Sequence, residues 1–199
     1  MRLRILSTLT ATLAAAALAY GCAVDSTTAP SSKAAPSQSA SHSLLGGLLS
    51  SPTTVTPLER TTPLAAPITA SARIGVLGGA LAIPGAGISV IVPPLALART
   101  TTISVTALAG SDVAYEFAPH GTRFNVPLLV TQNLANTQVS AGLVNPLSLY
   151  VGYFPDSSNI TSVTELLSVG VNALNLSATF TVWHFSGYII ATGRSDDSY

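Results

Sequence analysis

From Ala70 onward, apolar and polar residues alternate in short runs. Ile88, Val90 and Val92 share one face of a strand. Ile103, Val105 and Ala107 do the same, with Thr102, Ser104 and Thr106 opposite. Leu149, Val151 and Tyr153 make a third set, and Ala178, Phe180 and Val182 a fourth. A period of two predicts half-buried strands packed on one core. The runs recur every 8–15 residues or so and are punctuated by Gly78-Gly79, Pro84-Gly85, Pro93-Pro94, Pro119-His120-Gly121 and Asp156–Asn159. That spacing predicts an all-β chain with a single antiparallel β-sandwich over residues 70–191, and not βαβ units. Only Ser162–Val169 reads as a candidate helical turn. About 125 residues can bury a core without disulfide support.

Upstream the pattern is lost. Arg2 and Arg4 precede an apolar run, Ile5–Tyr20, that is too short and too interrupted by threonine for a good membrane span. Cys22, the only cysteine, follows Leu18-Ala19-Tyr20-Gly21. The arrangement resembles a bacterial lipoprotein signal, with residues 1–21 removed and Cys22 lipidated. Several acyl chains, at about 0.8 kcal/mol per buried CH₂, make a stable anchor. The competing reading is an ordinary signal peptide cut after Ala19. Residues 22–52, rich in Ser, Thr, Ala and Pro, read as a disordered tether that cannot bury enough apolar surface to offset its ordering entropy. The Leu44–Leu49 run within it is either a membrane-surface patch or a segment folded back on the domain. Residues 53–69 repeat Thr-Pro-Leu at Thr56 and Thr62. Proline excludes this segment from a central strand. It reads as a free linker or as an extended piece docked on the domain through Leu58 and Leu64. Glu59-Arg60 reads as a solvated pair, and residues 192–199 as a polar tail.

Charged residues make up 8% of the chain and the formal net charge is zero. Nucleic-acid binding, which needs a basic face, is therefore not expected. Serine and threonine on the outer strand faces keep such a domain soluble.

Gly78-Gly79-Ala80-Leu81-Ala82-Ile83-Pro84, followed by Gly87–Pro94, resembles the opening hairpin of the ZU-five domain of zonula occludens proteins, Unc-five netrin receptors and ankyrins. Tyr115–Phe124 with Pro127-Leu128 resembles its second motif, and Trp183–Ala191 its closing segment. Leu95 stands where the family often has glycine, as does Ala118, so both loops are expected to differ in shape. The resemblance implies a two-sheet scaffold or protein-interaction module. In death-domain scaffolds of this family, a His-Phe-Ser triplet at the closing segment cleaves itself between Phe and Ser. Carried over, Ser186 Oγ attacks the Phe185 carbonyl in an N-to-O acyl shift, His184 takes the hydroxyl proton, and water opens the ester. Alternation places His184 and Ser186 on one face but too far apart in a regular strand, so a kink is required, and Gly187 eases it. The competing reading is structural: His184 follows Ala178, Phe180 and Val182 on the core face, and Phe185 packs on the other side.

Little else suggests chemistry. His42 lies in the tether, and His120, near Glu116, lacks the company a metal site needs. No hydrolase, zinc-protease, phosphate-loop or paired-cysteine motif occurs. No cofactor or metal is expected. Trp183 alternates outward and is expected to be covered by a neighbouring loop; with Tyr150 it would otherwise serve carbohydrate adhesion. The sequence thus reads as a non-enzymatic module held in a bacterial cell envelope, its leaflet undetermined. Its partner would be an envelope protein or polymer. Self-processing at Phe185-Ser186 is the second reading and carbohydrate adhesion the third.

Overall fold

The computed structural model describes residues 48–194. The strands are β1 Leu48–Pro57, β2 Glu59–Leu64, β3 Ile68–Ile74, β4 Gly79–Ile83, β5 Ile88–Val92, β6 Thr101–Ala107 and β7 Gly110–Asp112. They continue with β8 Ala114–Ala118, β9 Arg123–Asn133, β10 Tyr150–Phe154, β11 Ser162–Leu167, β12 Gly170–Asn172, β13 Ser177–His184 and β14 Gly187–Arg194. Seven strands make one sheet in the order β1-β11-β10-β14-β8-β6-β3, five make a second in the order β12-β13-β9-β5-β4, and β2 pairs with β7. The registered pairs are antiparallel. The fold is the expected all-β sandwich.

The alternation read from the sequence sets which faces meet. In the smaller sheet Val90 lies opposite Val130, which lies opposite Phe180. These inward residues share one core with Ile103, Phe117, Tyr188 and Ile190 of the larger sheet. The back of the larger sheet holds a second cluster, Val55, Ala114, Phe154, Val163, Ile189 and Ala191. β1 pairs with both β11 and β14, and β10 pairs with the same two strands, so the four close a ring around it. β14 is therefore buried on both faces: Tyr188 and Ile190 point to the main core, Ile189 and Ala191 to the second. A strand with no solvent face shows a continuous apolar run, and Tyr-Ile-Ile-Ala is that run.

Several expectations need correction. Ordered strand begins at Leu48, so the proposed tether boundary at Pro52 and domain start at Ala70 both fall inside β structure. Of the two readings of residues 53–69, the extended segment docked through Leu58 and Leu64 holds and the free linker does not, although β1 also enters the sheet between two strands. β1 joins the large sheet, Leu58 is fully buried in the main core, and Leu64 packs partly buried against it. The prolines that argued against a central strand sit where the ladder is interrupted. The register shifts between Leu48 and Thr53, between Thr56 and Pro57, and between Glu59 and Leu64, around Pro52, Pro57 and Pro63. Bulges are where a missing amide donor does least harm. Ser162–Val169 is not helical: β11 spans most of it and pairs on both sides, with β10 and β1. Pairing on two flanks decides the conformation there, over local preference. β14 extends to Arg194, past the expected end at Ala191. Cys22, the signal segment, His42 and residues 22–47 of the tether lie outside the described residues.

Candidate functional site at the sheet crossover

β13 belongs to the small sheet and β14 to the large one. The three residues His184-Phe185-Ser186 carry the chain from one to the other. A strand that changes sheets must turn out of its ladder, and the register between β13 and β9 shifts between Val182 and His184. A bend follows at Ser186. The chain therefore bends at the triplet, and the cause of the bend is topological.

Each peptide group of the crossover is held. Phe185 N–H donates to the Thr122 carbonyl at 2.9 Å, and Gly121 N–H donates to the Phe185 carbonyl at 3.2 Å. Phe117 N–H donates to the Ser186 carbonyl at 2.9 Å. The Phe185 ring is buried between Phe117, stacked at 5.6 Å, and Phe124, edge-on at 4.7 Å. A Cβ on Gly187 would run into the Phe154 ring, so close backbone approach explains the glycine better than ease of bending does.

His184 lies on the expected inward side of β13 but at its rim, with 23% of its side chain exposed. Its Nε2 is 3.4 Å from Glu165 Oε2. Carboxylates only accept, so Nε2 carries the proton in this contact. Nδ1 lies 3.4 Å from the Tyr188 hydroxyl, which itself donates to the His184 carbonyl at 2.8 Å. The Tyr153 ring meets the imidazole edge-on at 5.0 Å. Burial raises the Tyr188 phenol well above its ordinary pKa, and Glu165 and then Tyr153 push the same way. Neither imidazole nitrogen is hydrogen-bonded to the buried Ser186. His120, Arg123, Glu165, His184 and Ser186 line one cavity of about 410 Å³.

The triplet was legible as a motif, yet its surroundings were not. Glu165 sits in the stretch read as helical, and only the β10–β11 pairing brings it to His184. Tyr188 lies four residues on, past a sheet change that alternation cannot follow. His120, read as an isolated turn residue, is exposed and shares the cavity. No cluster of three metal-ligating side chains occurs among the described residues. Trp183 is uncovered, at 54% exposure, against the expectation of a covering loop. Tyr150 is half-buried in the other sheet against the second cluster, so the two rings do not share a sheet face.

Trp183 belongs to a larger outer surface. Ile91 lies opposite Leu129, and Leu129 opposite Thr181, two residues before Trp183. Ile91, Leu129 and Trp183 are all exposed, with Ala80 next in the row. Leu95 takes φ 67°, in the left-handed region that favours glycine. No family model matches the chain, and no curated protein matches it.

Proposed function

We propose that this chain is a lipid-anchored cell-envelope protein that presents a ZU-five-like β-sandwich as a non-enzymatic protein-interaction module. The observation that carries the reading is the outer face of the small sheet. It has Ile91, Leu129 and Trp183 exposed in neighbouring positions, among threonines and without a charged side chain in the row. Aliphatic side chains beside an exposed indole suit a protein surface; a sugar platform would pair rings with amides and carboxylates. The lone Cys22 after an apolar run supports the anchor. The crossover supports a non-enzymatic role, because the groups required for self-cleavage are engaged elsewhere: His184 with Glu165 and Tyr188, Phe185 in the core.

Three measurements test this. Cys22→Ser should move the protein from the membrane fraction to the soluble one; unchanged partitioning removes the anchor. A photo-crosslinking residue at position 183 in intact cells should give a discrete protein adduct that Leu129→Glu abolishes. Adducts unaffected by that change, or Trp183-dependent binding on a glycan array, would replace the protein-partner reading. Intact mass should be single and unprocessed at Phe185-Ser186, in wild type and Ser186→Ala alike. A fragment pair present only in wild type would make the domain self-processing.

A further inference from the structure

Arg60 was expected on the surface, yet it is 6% exposed. One Nη donates to the Asp112 carbonyl, and the other reaches the Tyr115 hydroxyl at 3.4 Å. The guanidinium carbon lies 5.7 Å from the Tyr115 ring centre. Its Nε–H has no partner. No carboxylate among the described residues pairs with it. Asp112 offers only its backbone oxygen, and the Glu59 carboxylate accepts from Gln138 Nε2 at 2.9 Å. Tyr115 does not supply the missing negative charge. Burial pushes its phenol up to about 12, against the pull of Arg60, and its O–H serves the Ala86 carbonyl and Gln132.

Arginine stays protonated in proteins, and a buried charge without a counter-charge is strongly unfavourable. The charge sits on the wall of a cavity of about 450 Å³, within the usual range for small-molecule sites. The wall contains no aspartate or glutamate. Its other buried polar groups are already committed. Gln132 Nε2 donates to the Ala86 and Asn133 carbonyls at 3.1 and 2.7 Å, and Thr137 Oγ1 to the Leu134 carbonyl at 2.8 Å. Gly87, at φ 72°, makes room for that amide, since a Cβ there would come within 2.9 Å of Gln132 Nε2. Pro63 and Leu64 supply apolar wall.

We propose that this cavity binds a small organic carboxylate, which neutralises the buried Arg60 guanidinium on its wall while Pro63 and Leu64 pack against its apolar part. Guanidinium groups recognise carboxylates through charge-assisted hydrogen bonds. One cation without a second Lys or Arg matches a monoanion better than phosphate.

The test uses the full chain labelled with ¹⁵N. The Arg60 Nε–H signal is assigned by its loss in Arg60→Lys. N-acetylalanine, its uncharged amide and inorganic phosphate are then titrated separately. N-acetylalanine should shift the Arg60 signal saturably and raise the melting temperature; the amide and phosphate should do neither. Thr62→Trp, at an exposed position on the cavity wall, should weaken the carboxylate by at least about tenfold with the remaining spectrum in place. Absence of a saturable shift, an equal response to the amide, a response to phosphate alone, or full affinity in Thr62→Trp would each overturn the proposal.

Discussion

Leu95 sits in the left-handed region, at φ 67°, with its side chain 67% exposed. Its N–H donates to the Val76 carbonyl at 2.7 Å, so the backbone of the loop is held in place. A residue with a Cβ is about 1–2 kcal/mol less stable in that conformation than glycine. The exposed side chain returns little in packing. Leu95→Gly should therefore raise unfolding stability by about 0.5–1 kcal/mol, after the greater freedom of glycine in the unfolded chain is subtracted. A urea melt measures it, and a lowered midpoint contradicts the argument. The same scale shows what a sequence hides. Arg60 follows Glu59 in an ion-pair pattern typical of surfaces, yet only Glu59 is exposed. In a strand the two point to opposite faces, and which face is solvent depends on where β2 is laid. His184 was placed correctly on the inner side by alternation. Its rim position follows from the register shift against β9, which no local pattern announces.

Among the elements, β1 is the one most worth removing. It brings Val55 to the second cluster and leads into Leu58 in the main core. A chain lacking residues 1–47 should unfold with the stability of the whole. Removal through Pro57 should cost several kcal/mol, because burying a valine-sized side chain contributes about 1.5–3 kcal/mol and the facing Val163 loses its cover too. Urea denaturation of both truncations measures this; equal midpoints would mean that β1 is a passenger. The strands that alternate, such as β5, β6 and β13, were legible because each has one buried face and one more exposed face. β1 and β11 were misread for complementary reasons. Prolines in β1 argued against a central strand although they fall at ladder interruptions, and in β11 the alternation of Ser162-Val163-Thr164 breaks at Glu165-Leu166-Leu167. The crossover between β13 and β14 was legible as a motif, but the sheet change within it was not.

For the whole molecule, pH couples to the core through its phenols. The folded pKa of Tyr115 is about 12, against 10.0 for the free side chain, chiefly because of burial. Tyr188 is raised as well, by burial first. A raised folded pKa means that the unfolded chain releases the proton first. The stabilisation is thus complete below about pH 10 and is lost as pH climbs through the folded values. Stability should fall from about pH 10 upward, and Tyr115→Phe should flatten part of the fall. Thermal melts from neutral to strongly alkaline pH check this; a flat profile contradicts the assignment.

The two-sided pairing of β1 has a mechanical meaning. Its first part is bonded to β11 through Leu48, Thr53 and Thr54, its last part to β14 through Val55, Thr56 and Pro57. Tension applied to the chain before Leu48 reaches the β11 contacts first, and their register is already broken between Leu48 and Thr53. Those contacts yield as a fuse, while the grip on β14, a strand buried on both faces, still transmits load. A domain tied to a moving surface through its N-terminal side would thus lengthen by a few residues before its core felt the pull.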